Sequence, residues 1–126
     1  MIHRRALVAL GLFLLIGCEP RKVQKQVGPL RDWIVGSWMR TDDRVFWNFS
    51  ADGEMITSGR VPIGGSYSTE EPNKVLVLIT GANALSAAAQ LGLVADENKN
   101  LKINFVVQDD EMKVVGVNST VVFQKK

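Results

Sequence analysis

From Gly36 onward the chain is cut into short runs that alternate apolar and polar residues, and the breaks between them are only a few residues long. This pattern constrains the fold more than any other feature. Alternation at period two puts the apolar side chains of a strand on one face, and connections this short join antiparallel neighbours. The runs are Gly36–Thr41, Arg44–Ser50, Glu54–Arg60, Ser66–Thr69, Lys74–Thr80, Leu101–Val107, Met112–Val117 and Thr120–Gln124. In the second of them Val45, Trp47 and Phe49 share a face. Asp42-Asp43, Asp52-Gly53, Pro62 to Gly65, Glu70 to Asn73, Asp109 to Glu111 and Asn118-Ser119 supply turns and loops, from residue types that favour them. Eight short strands joined mostly by tight turns predict a mainly all-β fold, either an antiparallel barrel or a sandwich.

One segment departs from this pattern. Gly81–Ala95 is rich in alanine, and no β-branched residue occurs in it before Val94. Alanine has the highest helix propensity, so a helix is predicted over Ala82–Leu91, with Gly92 as its C-terminal cap. No charge occurs between Val75 and Ala95. A membrane-spanning helix is discounted there because Gly81, Asn83, Ser86, Gln90 and Gly92 interrupt the run,. A helix without a charged face packs against a surface. It would act either as a plug that fills the end of the barrel or as a lid over an apolar interior. In the second case Trp38, Leu85, Ala89 and Leu93 are the candidate ligand or lid residues.

Gly36-Ser37-Trp38 on the first strand resembles the Gly-x-Trp signature of lipocalins. Phe49 to Gly53, followed by Gly65-Ser66-Tyr67, is similar to the F-x-x-D-G and G-x-Y rhythm of small bacterial lipocalin-like domains. The resemblance covers residues 33–126. It implies a small eight-stranded antiparallel lipocalin-like barrel, closed at one end by packing of Trp38, and the short helix predicted near 82–91 is then an insertion before the sixth strand that counts against a large cavity. Many lipocalins bind small hydrophobic ligands. This chain is shorter than a full lipocalin, and a barrel of this size can be filled by its own side chains.

The beginning of the chain has a different character. Arg4 and Arg5 precede twelve uncharged residues, Ala6–Gly17. That is the layout of a signal peptide, and the run is too short to span a bilayer. Leu15-Ile16-Gly17-Cys18 resembles a lipobox, the processing motif of bacterial lipoproteins. The resemblance implies removal of residues 1–17, a diacylglycerol on the Cys18 thiol and an acyl chain on its amine. Two or three chains hold a protein firmly to a membrane, at roughly 0.8 kcal/mol for each buried methylene. Residues 18–32 then read as a lipidated terminus and a flexible tether, since Glu19–Leu30 holds two prolines, a glycine and basic residues,. Arg21, Lys22 and Lys25 would either sit against anionic headgroups or be solvated. Glu19 is not the Asp that retains enteric lipoproteins at the inner membrane. The expected location is therefore the outer membrane, facing the periplasm.

The charge balance and the reactive side chains bound the function. The chain carries 15 basic and 13 acidic residues, and with Arg4 and Arg5 removed the balance is neutral. A neutral domain has no electrostatic attraction for nucleic acid. The one cysteine is Cys18 and the one histidine is His3, so a domain without the leader has no imidazole and no spare thiol. This removes the usual nucleophile–base pairs and zinc ligands, and neither a catalytic residue nor a metal ligand is expected. Asp42-Asp43, Glu70-Glu71, Asp96-Glu97 and Asp109 to Glu111 all fall at predicted turns. They read as solvated turn residues rather than as paired catalytic carboxylates or a calcium site. Trp33, Trp38 and Trp47 read as core. The expected function is that of a non-catalytic, lipid-anchored envelope protein that binds a partner protein or supports assembly, with no cofactor beyond the lipid on Cys18. The alternative is a carrier of a lipid or small hydrophobe.

Overall fold

The computed structural model describes residues 22–116 and 121–126. Cys18 with its lipobox, and the Asn118-Ser119 turn, lie outside them. The order of elements is α1 (Leu30–Trp33), β1 (Gly36–Arg40), β2 (Phe46–Phe49), β3 (Glu54–Thr57), β4 (Gly64–Glu70), β5 (Lys74–Thr80), α2 (Ala82–Leu91), β6 (Asn100–Gln108), β7 (Glu111–Val114) and β8 (Val122–Lys125). Each strand pairs antiparallel with the next, and β8 returns to β1. The result is a closed up-and-down barrel of lipocalin-like form with the short helix α2 inserted, which decides between the barrel and the sandwich that the alternation left open. In the closing pair Trp38 lies opposite Lys125, and Arg40 opposite Phe123.

The strands form where alternation is cleanest. Val75, Val77 and Ile79 of β5 and Leu101, Ile103, Phe105 and Val107 of β6 point inward and are buried. Trp47, Phe105 and Phe123 meet edge to face, with ring centroids 5.2–5.8 Å apart. That geometry is favourable beyond the burial itself. With Trp38, Met55 and Met112 they fill the barrel.

The strand ends differ from expectation where backbone geometry intervenes. Arg44 has a φ of 61° and belongs to the β1–β2 turn, so β2 begins only at Phe46. The strand β4 begins at Gly64, inside the expected loop. A Cβ on Gly65 would lie 2.7 Å from the Leu78 carbonyl oxygen and 3.0 Å from the Ile79 side chain. Only glycine lets β4 pass that close to β5.

α2 occupies the predicted residues. Gly92 caps it in the left-handed region (φ 70°, ψ 29°), and the Leu93 N–H donates to the Ala88 carbonyl at 2.9 Å. Ala84, Ala87, Ala88 and Leu91 are buried and follow an i, i+3, i+4, i+7 spacing, so one face of the helix seals the barrel end. No helix among the described residues is long and apolar enough to cross a membrane.

α1 has no forecast in the sequence. Residues before Trp33 read as tether, yet Leu30 is fully buried in the core beside Ile34 of the predicted domain. Proline at the N-cap and a carboxylate at the first amides explain the turn. The Leu30 N–H donates to Glu71 Oε2 at 2.9 Å, and the Ile34 N–H donates to the Leu30 carbonyl at 2.8 Å. The packed domain therefore begins at Leu30.

Candidate functional site

The two ends and the outer wall of the barrel are the places where a site can form, and each is built differently. At the α1 end Trp38 is fully buried, and its Nε1 donates to the Ile34 carbonyl at 2.9 Å. Lys125 Nζ donates to the carbonyls of Trp33 and Val35 at 2.7 and 3.2 Å and lies over the rings of Trp33 and Trp38. Burial holds the Lys125 ammonium below its ordinary pKa,. Trp33 Nε1 donates to the Asp109 carbonyl at 2.6 Å. Trp38 is thus a packing residue of a sealed end.

At the α2 end the candidate lid residues separate. Leu93 is half-buried against the core, whereas Leu85 is 52% exposed and Ala89 is exposed as well, on the outer face of α2. The inward positions are held by alanines and Leu91. Trp38 sits at the other end of the barrel from these residues, so the four candidates line no common cavity. α2 is also fastened down. Arg40, 8% exposed, donates from Nη2 to the Gln90 carbonyl at 3.1 Å and to Asp42 Oδ2 at 3.0 Å. Its Nε lies 2.6 Å from Asp42 Oδ1, but its hydrogen is not aligned for a bond, so that contact is an ion pair only. A cation at the last carbonyls of a helix is favourable. The hydrogen bond from Arg40 holds the Asp42 carboxyl below its ordinary pKa against the opposing effect of burial.

The outer wall carries an open groove of about 720 Å³ across β1 to β5. Gly64 and Gly65 form its floor, with Ile56 and Leu78 as apolar walls and Ser37, Asn48, Ser66 and Thr80 as hydroxyl and amide groups. Glu54 is its one charged lining residue. Ser37 Oγ donates to Asn48 Oδ1 at 2.6 Å, and Asn48 Nδ2 donates to the Ile56 carbonyl at 3.3 Å, which fixes the amide orientation. Ile56 is 52% exposed, although outward positions of a strand are usually polar,. The arrangement suits an uncharged ligand surface with apolar groups and amides. It holds no pair of titratable groups for acid–base chemistry.

The acidic clusters take up backbone roles. Asp96 Oδ1 accepts from the Asn98 and Asn100 amides, Glu71 caps α1, and Asp43 Oδ1 accepts from the Val45 amide. Among the described residues no group of three or more His, Cys, Asp or Glu side chains is placed to hold a metal ion.

Sequence reasoning passed over the groove. Its signals are the Gly64-Gly65 pair beside a strand and the outward Ile56 and Leu78, which break the rule of apolar inside and polar outside. Comparison with protein-family models, with curated proteins and with solved structures gave no match to this chain.

Proposed function

We propose that this protein is a non-catalytic envelope lipoprotein, anchored through lipid on Cys18, whose barrel binds an uncharged segment of a partner protein in the groove on its outer wall. The observation that carries this reading is the filled interior. Trp38, Trp47, Phe105, Phe123 and Met112 are each no more than 2% exposed, and they occupy the space where a hydrophobic cargo would sit. A surface that binds is therefore sought outside the barrel, and the groove there offers Ile56 and Leu78 with amide and hydroxyl partners on the same wall. Apolar contacts flanked by polar groups are the ordinary composition of a protein interface. The lipid on Cys18 would confine the barrel to a membrane surface and raise its effective concentration toward partners there.

Photo-crosslinking residues placed at Ile56 and Leu78, in cells that make the protein, test the reading. A single protein adduct at these two positions, with the one from Leu78 lost when Ile56 is replaced by Lys, is the expected result. Adducts of equal yield from Lys113, exposed on β7 two strands away from the groove, would show that the groove is not the binding surface.

A further inference from the structure

Residues 22–31 form a strap bound across the α1 end of the barrel. The Gln24 amide donates to Asp110 Oδ2 at 2.9 Å, and the Gln26 amide to Asp109 Oδ1 at 3.1 Å. The amides of Leu30 and Arg31 donate to the two oxygens of Glu71 at 2.9 and 3.4 Å. The strap therefore runs from the β6–β7 turn to the β4–β5 turn, on the end opposite α2.

These bonds sort the charges. Asp109, Asp110 and Glu71 are turned to the strap backbone as acceptors. The strap itself carries three cations, Lys22, Lys25 and Arg31, and no acidic residue, and all three are exposed. Val23 and Val27 on the same segment are 57% and 76% exposed. The rest of that end carries Asp32, Asp52, Glu54, Glu70, Glu71, Asp109, Asp110 and Glu111 against Lys74, Lys125 and Lys126, an excess of acidic groups, so the cationic surface is confined to the strap itself. Exposed cations interspersed with apolar side chains match the interface of an anionic bilayer, which attracts each nearby Lys or Arg and accepts apolar groups below its headgroups.

We propose that the strap, residues 22–31, is a membrane-contact surface for anionic phospholipid, on which the barrel stands with its α1 end down and its α2 end directed away from the bilayer. The proposal rests on the anchoring at Cys18 given above and deepens it. Gln24 lies six positions after Cys18, and at about 3.3–3.6 Å per residue that span reaches roughly 20 Å. A lipid on Cys18 thus keeps the α1 end beside the headgroups, and Lys22, Lys25 and Arg31 fix which way the barrel faces.

Hydrogen exchange of the full-length protein purified from bacterial membranes tests this. The protein is compared free, on vesicles of phosphatidylcholine, and on vesicles with about one-third phosphatidylglycerol, and intact mass reports its acylation separately. On the anionic vesicles, exchange of the strap and of the turns at 70–74 and 108–111 is expected to slow at least about ten-fold, with no change in α2. A K22E/K25E/R31E variant is expected to lose that protection while its acylation is retained. Unchanged strap exchange on anionic vesicles, or protection that appears in α2 instead, would overturn the proposal whether or not the chain is acylated. A mass without acyl chains would overturn the anchoring at Cys18 alone.

Discussion

Lys125 Nζ lies 5.3 Å from the centroid of the Trp38 ring, directly across the pair in which β8 closes onto β1. The same ammonium lies 4.8 Å from the Trp33 ring and donates to two carbonyls of the α1–β1 connection. One side chain thus ties the last strand, the first strand and the turn before it. Lys125→Met keeps the stem but leaves the carbonyls of Trp33 and Val35 without a donor. The expected loss is about 1–3 kcal/mol, read as a fall in Tm of about 4–8 °C per kcal/mol for a domain of this size.

Leu30 separates a packed residue from a tether residue. A tether side chain is solvated and its truncation costs nothing measurable, whereas Leu30 is fully buried. Leu30→Ala is therefore expected to cost about 2–5 kcal/mol, and urea unfolding gives the value. Val27→Ala, at a position 76% exposed three residues earlier, is expected to shift the midpoint very little,.

The two faces of α2 respond oppositely. Ala87 is fully buried against the barrel and Leu85 is 52% exposed. Ala87→Leu overpacks the sealed end and is expected to cost about 1–3 kcal/mol. Leu85→Ser changes stability by no more than about 0.5 kcal/mol. Thermal unfolding of the two variants distinguishes a plug from a lid hinged over empty space.

Asp42 gives the fold an acid-sensitive contact. Its hydrogen bond from Arg40 lowers the folded-state pKa below that of the unfolded chain. The stabilisation is complete above the unfolded value, about 3.9, and is lost as pH falls through the folded one. Asp42→Asn removes this term. Its stability is expected to fall less steeply than that of the parent chain below about pH 4, measured by urea midpoints across that range.

Much of the barrel was legible because alternation and turn residues agree along the chain. Phe105 and Trp47 fall where period two puts them, Gly53 and Asp109 turn where a positive φ is needed, and Gly92 stops the alanine helix in the left-handed region. Leu30 was not legible, because its burial depends on Glu71 more than forty residues away, which caps the helix that carries it. The groove was hidden for a similar reason. A Gly-Gly pair reads locally as a loop, and only the close passage of Gly65 over the Leu78 carbonyl shows why the strand needs it. The outward position of Leu85 and Ala89 was not legible either, because a helix without charges has no polar face to set its orientation. The small alanines turned inward instead, since the room above the filled barrel admits nothing larger except Leu91.

The central claim is a lipid-anchored barrel with a filled interior, and native mass spectrometry of the full-length protein, gently extracted from bacterial membranes, tests it most directly. The expected species is a chain that begins at Cys18, carries the mass of a diacylglycerol and an N-acyl group, and holds no non-covalent small molecule. A chain that retains residues 1–17 without acyl mass, or one that reproducibly carries a bound lipid released on mild activation, would contradict it.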